Sequence, residues 1–183
     1  KIDGDFPNHH PDPSEPKNLE FCRNEILKNG FDVGIAFDGD GDRIGVVDNK
    51  GRIISGDNLL LIFAKQLLKK KKSLIIGDVK CSKVFFDQVK KLGGRTIMSK
   101  TGHSHVKTNM KKFSADLAGE MSGHIFFSYG YYGFDDALYA SIQLIDILTN
   151  EDKTLSDLVD EIPKVFNTPE IRIDCDDRTK FEI

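Results

Sequence analysis

Residues 38–43 carry three acidic side chains at alternate positions, reading Asp-Gly-Asp-Gly-Asp-Arg directly after an apolar run at 33–37. In an extended strand Asp38 and Asp42 would lie roughly 13 Å apart, too far to share one ion. Gly39 and Gly41 tolerate the backbone angles that curl such a segment into a tight loop. Once curled, the carboxylates of Asp38, Asp40 and Asp42 repel one another unless a cation lies among them. Oxygen ligands favour magnesium, manganese or calcium over zinc.

These six residues allow three interpretations, and a magnesium loop is the favoured one. A solvated acidic turn is the first alternative, because Asp-Gly pairs are common in turns. An EF-hand calcium loop is the second, but that loop needs a glycine where this chain has Arg43 and a bidentate glutamate where it has Asn49. Arg43 adds to the magnesium interpretation, since a planar guanidinium suits bidentate phosphate binding. The pattern therefore indicates a magnesium ion beside a phosphate group.

Apolar periodicity predicts the elements that position this loop. A helix over 19–27, a buried strand at 32–37 and a hairpin of 44–47 with 52–54 make up the first part, which is too small to bury a core alone. From residue 55 helices and strands alternate. The predicted helices lie at 59–68, 84–92, 106–112 and 137–148, and the predicted strands at 74–76, 96–98, 117–118 and 170–174. Thr154 and Asp157 resemble a capping box that would start one more short helix. This rhythm predicts a layered α/β domain from about 55 to 165.

Three polar loops follow strands of the predicted α/β domain, at 78–82, 100–105 and 119–124. Ligands gather at the carboxyl ends of strands in open α/β sheets, so these loops are candidates for a binding site. Each loop also has a simpler explanation that needs no ligand. Lys80 could be an ordinary surface lysine, His103 a histidine that only hydrogen-bonds its neighbours in the loop, and the alternating Glu120, Ser122 and His124 a polar edge strand. Read as functional, the loops offer a lysine for an anion, a histidine for proton transfer and a carboxylate with a hydroxyl for sugar hydroxyls. The candidates are Lys80, His103, Glu120, Ser122 and His124.

Composition narrows the class of protein. The net charge of −3 gives no reason to expect nucleic acid or an acidic membrane, and no apolar run reaches the roughly 20 residues of a membrane helix. Three widely spaced cysteines argue against a disulfide framework or a zinc site and for a reducing, cytoplasmic location. We therefore expect a cytoplasmic protein with small-molecule partners rather than nucleic acid or membrane.

Five motifs together carry a family resemblance: FPNHHPDP, FDGDGDR, DVKCS, KTGHS and GEMSGH occur in this order with fitting spacing. The chain resembles the α-D-phosphohexomutases, most closely the bacterial phosphomannomutase/phosphoglucomutase group. The resemblance implies an α/β fold: a layered α/β domain with a mixed β-sheet flanked by helices, preceded by part of a similar second domain. Residues 1–54 would be the C-terminal part of the metal-loop domain, 55–167 the complete sugar-binding domain, and 168–183 a linker into a fourth domain.

The resemblance also implies a role for each candidate residue. Asp38, Asp40 and Asp42 match the magnesium ligands, and Arg43 matches the arginine near a catalytic phosphoserine. Glu120 and Ser122 match the loop that holds the sugar 3- and 4-hydroxyls. Lys80, His103 and His124 match other substrate-binding positions, with Lys80 and His103 as the proton-transfer residues. The catalytic set is then Arg43, Lys80 and His103.

The implied reaction interconverts a hexose 1-phosphate and a hexose 6-phosphate of mannose or glucose. A phosphoserine donates its phosphoryl group, glucose 1,6-bisphosphate is the intermediate and activator, and one Mg²⁺ neutralises charge on the transferring group. The family's serine loop has no counterpart here, because Ser73, Ser82 and Ser104 lie in other contexts. We therefore expect missing domains of the same polypeptide as partners and no mutase activity from the isolated chain. A non-catalytic sugar-phosphate-binding module and a structural domain with a calcium-stabilised turn are the alternatives.

Overall fold

The computed structural model describes residues 3–164, which form two β-sheets with helices packed around them. The first sheet has three antiparallel strands and the second has four strands. Within residues 3–164, no helix combines the length and the apolar character that a bilayer crossing requires.

The first part of the chain builds the small sheet around one helix. A 3₁₀ turn at Pro16–Leu19 leads into α1 (Glu20–Asn29), which ends at Gly30 in the left-handed conformation. Strands β1 (Val33–Phe37), β2 (Ile44–Asp48) and β3 (Ile53–Ile54) follow in that spatial order. The pairing of β2 with β3 confirms the predicted hairpin.

The second part alternates helices and strands, as the apolar periodicity predicts. Its elements are α2 (Gly56–Lys70), β4 (Leu74–Asp78), α3 (Lys83–Lys91), β5 (Arg95–Ser99), α4 (His103–Phe113), β6 (Leu117–Gly119), β7 (Ile125–Phe127), α5 (Ala137–Asn150) and α6 (Leu155–Asp160). The strand order is β5-β4-β6-β7. Strand β4 pairs in parallel with β5 and β6, and β7 pairs antiparallel with β6. The mixed sheet flanked by helices is therefore confirmed.

Successive residues of the central strand β4 contribute to different cores. Ile75 belongs to the larger core, which includes Leu60 of α2 and Phe85 of α3. Ile76 belongs to a second core with Val106 and Met110 of α4. Since neighbouring side chains of a strand point to opposite faces, helices cover both faces of this sheet. Such a sheet leaves its strand ends, and the loops that follow them, available for a ligand.

Three details differ from the prediction or lie beyond it. Strand β7 was not predicted, because three residues are too few to show a period. Helix α4 begins at His103 rather than at 106, so the candidate histidine lies in its first turn. Residues 120–124 form the connection between β6 and β7, and so the interpretation of them as a polar edge strand is wrong. The capping box of Thr154 and Asp157 is confirmed, whereas the predicted strand at 170–174 and the linker at 168–183 lie outside the described residues.

Polar contacts join the small sheet to the second part of the chain. Arg52, next to β3, donates to Asp48 at 2.7 Å, to Asp160 at 2.5 Å and to the carbonyl of Ser156 at 2.9 Å. The Asn49 side chain accepts a hydrogen bond from the Ser156 N–H at 3.1 Å. Asp48 is fully buried, so Arg52 neutralises an interior charge while it connects the hairpin to α6. The loops at the ends of the two sheets therefore have a fixed relation to one another.

Candidate functional site

The 38–43 segment is a closed loop organised by the first of its aspartates. Asp38 Oδ1 accepts hydrogen bonds from the backbone N–H groups of Gly41, Asp42 and Arg43, each at 3.1 Å. Gly41 has a φ of +76°, a conformation that glycine adopts without strain. The predicted curling of the segment is therefore present, and its cause is a side chain that collects the loop's own amides.

The three loop aspartates are close enough to share an ion. One carboxylate oxygen from each of Asp38, Asp40 and Asp42 lies within 4.8 Å of the others. Oxygens bound to a common Mg²⁺ at about 2.1 Å can be no more than about 4.2 Å apart, so a small contraction suffices. The donor set consists of oxygens alone, which fits magnesium better than zinc.

Charge in the loop is unevenly distributed between its aspartates. The side chain of Asp38 is 3% exposed, and although burial acts to raise its pKa, hydrogen bonds from Arg43 lower it to about 2. The pKa of Asp42 is raised by burial and by its hydrogen bond with Asp38, against the lowering effect of His124. A divalent cation would remove the repulsion that raises the Asp42 pKa.

Arg43 is held between two carboxylates. Its Nε donates to Asp38 Oδ2 at 2.7 Å and its Nη1 donates to Asp12 Oδ1 at 3.0 Å. Asp12 also accepts hydrogen bonds from the backbone N–H and the hydroxyl of Ser14, at 3.0 and 2.7 Å. The guanidinium therefore has a fixed orientation beside the metal loop. Asp12 belongs to the FPNHHPDP motif and was not among the predicted site residues.

The three polar loops predicted at the strand ends meet around the buried Asp78. Its Oδ2 accepts a hydrogen bond from the Thr101 hydroxyl at 3.0 Å, and its Oδ1 accepts one from the Met121 N–H at 3.3 Å. Oδ1 also lies 3.1 Å from the Cys81 thiol, whose pKa is raised by burial and by Asp78. Asp78 was not among the predicted site residues, because a lone aspartate after a strand carries no distinguishing signal.

Glu120 is almost completely buried, at 1% exposed, in the loop between β6 and β7. Its Oε1 accepts a hydrogen bond from the Gly102 N–H at 2.5 Å, which ties this loop to the start of α4. Within the described residues, Oε2 has no completed hydrogen bond, although His124 Nδ1 lies 3.0 Å away. Burial acts to raise the Glu120 pKa, but His124 and the Gly102 N–H outweigh it and lower the pKa. Oε2 is thus an ionised, buried oxygen that faces His124.

His124 joins the metal loop to the sugar-loop candidates. Its Nδ1 lies 3.0 Å from Ser122 Oγ as well as from Glu120, and its Nε2 lies 3.5 Å from Asp42 Oδ1. Burial acts to lower the His124 pKa, but Glu120 and Asp42 outweigh it and raise the pKa.

The backbones of the two loops are also paired. Arg43 and His124 form an antiparallel bridge, and the Ile44 N–H donates to the Gly123 carbonyl at 3.1 Å. A Cβ at Gly123, where φ is +99°, would lie 2.5 Å from the Ile44 carbonyl oxygen. The close approach of the metal loop to the 119–124 loop therefore depends on glycine at this position.

His103, the other candidate histidine, lies beside His124. The two rings stack with centroids 5.8 Å apart and an angle of 20° between their planes. Two residues that sequence reasoning missed hold His103: its Nδ1 lies 3.1 Å from Asp135 Oδ2 and 3.2 Å from Lys107 Nζ. Lys107 is four residues from His103 on α4, a spacing that places both on one helix face. Asp135 is distant in sequence, so only the fold brings it here.

The remaining candidates have simpler placements. Lys80 lies exposed on the turn between β4 and α3, two residues from Asp78. Ser82 caps α3, because its hydroxyl accepts a hydrogen bond from the Phe85 N–H at 3.3 Å. The structure thus gathers Asp38, Asp40, Asp42, Arg43, His103, Glu120, Ser122 and His124 in two loops and one helix start that contact one another.

A mixed α/β domain with polar loops at its strand ends, joined to an aspartate loop, is an architecture shared with known proteins. The family model for phosphoglucomutase/phosphomannomutase α/β/α domain III matches residues 55–166, and the one for domain II matches residues 1–51. A solved structure of a phosphoglucomutase/phosphomannomutase family protein from Burkholderia thailandensis has a TM-score of 0.87 and 45% identity, over 92% of this chain and 37% of that chain.

Curated relatives agree with the family models. A phosphomannomutase/phosphoglucomutase from Pseudomonas syringae is 48% identical over 184 residues, covering 100% of this chain and 40% of the relative. A phosphoglucomutase from Neisseria meningitidis serogroup A is 48% identical over 174 residues, covering 94% of this chain and 37% of the relative. The chain belongs to the phosphoglucomutase/phosphomannomutase family, and it spans about 40% of the length of the curated relatives it matches.

Proposed function

We propose that this chain supplies the metal loop and the sugar-binding loop of a magnesium-dependent phosphohexomutase. The reaction interconverts the 1- and 6-phosphates of glucose or mannose through a phosphoserine and a 1,6-bisphosphate, with the serine provided from outside residues 1–183. Residues 1–54 would be the end of the metal-loop domain and 55–167 the sugar-binding domain. A soluble, cytoplasmic location is part of the same proposal.

One observation carries the proposal: the loop of aspartates and the loop of Glu120 are joined at a single place. His124 contacts Asp42 on one side and Glu120 and Ser122 on the other. A phosphorylated sugar has an anionic end and a set of vicinal hydroxyls. Arg43 and a metal ion suit the first, whereas the Glu120 carboxylate and the Ser122 hydroxyl suit the second.

Each group in the cleft has a defined task under this proposal. A bound Mg²⁺ would be held by Asp38, Asp40 and Asp42 and would neutralise charge on the phosphoryl group in transit. Arg43, fixed by Asp12 and Asp38, orients a phosphate oxygen. The Glu120 carboxylate accepts a hydrogen bond from one sugar hydroxyl, and the Ser122 hydroxyl donates one to the adjacent sugar hydroxyl. Because these contacts do not involve the phosphate, the sugar can bind in both orientations. His103 and Lys80 move protons at the reacting hydroxyl.

Binding by the isolated chain tests the sugar-binding half of the proposal. Titration with glucose 1-phosphate and mannose 1-phosphate in the presence of Mg²⁺, followed by amide NMR, should shift the signals of Gly102, Ser122 and His124. Glu120→Gln removes the charge on the acceptor for the sugar hydroxyls and should weaken binding by about 10- to 100-fold, since a hydrogen bond to a charged group contributes roughly 1.5–3 kcal/mol.

The matched control is Glu151→Gln, which makes the same change on α5's C-terminal side away from these loops. Equal affinity of the wild-type chain and Glu120→Gln for both sugar phosphates would contradict the assignment. Calcium binding without any effect of sugar phosphate would instead support a structural calcium turn.

Measurements of turnover test whether this chain needs the remaining domains of a mutase for catalysis. The isolated chain should not convert glucose 1-phosphate, even with glucose 1,6-bisphosphate and Mg²⁺ added. Replacing the matching segment of the Pseudomonas syringae relative by this chain should give an active chimera if that relative catalyses the reaction its name states. Ordinary turnover by the isolated chain would show that it contains a phosphoryl donor of its own.

A further inference from the structure

Asp135 lies at the centre of a charged group that surrounds His103. Its side chain is only 7% exposed. Its backbone is held by an isolated antiparallel bridge with Phe126. Oδ2 is 3.1 Å from His103 Nδ1, and Oδ1 accepts a hydrogen bond from Lys107 Nζ at 2.9 Å. Each carboxylate oxygen therefore contacts one side chain of α4.

We infer that Asp135 is a positioning residue that sets the tautomer of His103, so that Nδ1 carries the proton and Nε2 remains free for proton transfer to or from the substrate hydroxyl. This inference rests on the proposed function for the identity of that substrate. The tautomer itself is a property of this chain and does not depend on the reaction.

The contacts of Nδ1 decide between the two tautomers. If Nδ1 carried a lone pair, it would face a lone pair of the Asp135 carboxylate at 3.1 Å, which is repulsive. If Nδ1 carries the proton, it donates to Asp135, and the nearly buried Oδ2 is satisfied. Lys107 Nζ is also 3.2 Å from Nδ1, but its ammonium hydrogens rotate and one already goes to Asp135 Oδ1. The proton on Nδ1 is therefore the arrangement in which the carboxylate has both hydrogen bonds.

Two further contacts fix the ring in place. Gly102, which precedes His103, donates its N–H to Glu120, so the backbone before the ring is tied to the sugar-loop candidate. The ring then stacks on His124. His103 is itself 54% exposed, and without Asp135 its Nδ1 would face the Lys107 ammonium, which favours an unprotonated Nδ1. The low pKa of Asp135, which Lys107 and the loop's own N–H maintain against burial, keeps the acceptor ionised.

The test measures the tautomer directly on the isolated chain. Long-range ¹H–¹⁵N correlation NMR of the imidazoles, at a pH where His103 is neutral, should show a protonated Nδ1 and an unprotonated Nε2. Asp135→Asn should bring up the tautomer with the proton on Nε2, because an amide can present either a donor or an acceptor to Nδ1. Asp146→Asn, the same change at an exposed position of α5, should leave the wild-type tautomer.

Lys107→Met distinguishes the effect of Lys107 on His103 Nδ1 from the effect of Asp135. It also tests the inference if Asp135→Asn does not fold. If Asp135 sets the tautomer, His103 keeps its proton on Nδ1 in this variant. If Lys107 donates to Nδ1 instead, the variant changes the tautomer, and the inference is wrong. A wild-type chain with the proton on Nε2 would overturn it equally.

Kinetics in the chimera with the Pseudomonas syringae relative supplies the second readout. Asp135→Asn should lower kcat by about 10- to 100-fold, part of what a positioned general acid–base contributes, while KM changes less than about threefold. An unchanged kcat would contradict the positioning role. A wild-type chimera without turnover would count against the proposed function alone, since the NMR result would still decide the tautomer.

Discussion

At the scale of single residues, Asp38 has a structural role in addition to the one that its sequence pattern predicts. It was predicted as a metal ligand on the strength of its spacing from Asp40 and Asp42. In the structure, Asp38 also closes the loop, because its carboxylate accepts hydrogen bonds from three backbone N–H groups and from the Arg43 Nε–H. Asp40 is exposed and offers its carboxylate to the same region. The two aspartates should therefore respond differently to the same substitution.

We expect Asp38→Asn to lower the free energy of unfolding by about 1–3 kcal/mol without metal, because it removes a charged partner from Arg43. Asp40→Asn should change it by less than about 0.5 kcal/mol, as for most exposed sites. Urea unfolding with and without Mg²⁺ checks both. Added Mg²⁺ should stabilise the wild-type chain more than either variant, and an equal effect of Mg²⁺ on all three proteins would exclude this metal loop.

The same substitution has a pH signature. The folded-state pKa of Asp38, about 2, lies below the usual 3.8, so its contribution to stability is complete above about pH 4 and is lost as the pH falls towards 2. The stability difference between the wild-type chain and Asp38→Asn should shrink over that interval. A constant difference from pH 6 to pH 2 would mean that folding does not lower the Asp38 pKa.

Residue types and spacing could predict the clustering of Asp38, Asp40 and Asp42 because the three residues are close in sequence. The histidines, Glu120 and Ser122 were candidates because they lie in polar loops after predicted strands, and the structure brings them together. Asp12, Asp78 and Asp135 were not found, since each is a single aspartate whose partners are supplied by other elements. A buried carboxylate that accepts hydrogen bonds from distant loops leaves no local sequence pattern.

At the scale of elements, the close contact between β2 and the 119–124 loop depends on glycine. Gly123 has a positive φ and its Cα faces the Ile44 carbonyl, so a side chain is disfavoured for two separate reasons. Gly130 has a similar φ of +79° with open space around it, and it therefore isolates the conformational effect.

We expect Gly130→Ala to cost about 1 kcal/mol and Gly123→Ala about 3 kcal/mol, because only the second adds a clash with backbone to the strained φ. Thermal or urea unfolding of both variants measures the difference. Gly123→Ala should also weaken sugar-phosphate binding, since His124 and Glu120 would separate from Asp42. Equal costs at the two glycines would mean that the loops are not packed as closely as the contacts indicate.

Most element positions followed from apolar periodicity, and the exceptions have physical causes. Long helices such as α2 and α5 show several turns of a regular pattern, and both are present. Strand β7 has only three residues and exists because β6 offers it a partner. Helix α4 begins three residues before its first buried apolar residue, because Gly102 is fixed by Glu120 rather than by any local cap.

At the scale of the whole molecule, the two sheets form one unit through charged contacts and through the site itself. Arg52 connects the small sheet to α6, and the bridge of Arg43 with His124 connects it to the β6–β7 loop. Sequence analysis predicted two structural parts but gave no means of orienting them. Their orientation is what places the aspartate loop beside the 119–124 loop, and so the central claim is a claim about this arrangement.

Paramagnetic broadening by Mn²⁺ tests that claim most directly, because Mn²⁺ takes oxygen ligands much as Mg²⁺ does. In amide NMR of the isolated chain, substoichiometric Mn²⁺ should broaden Asp42 and Arg43 and also Gly123 and His124, while Lys91 of α3 stays sharp. Asp40→Asn should weaken the effect, and excess Mg²⁺ should reverse it. Broadening confined to 38–43, or absent from both loops, would contradict a metal site shared by the two loops.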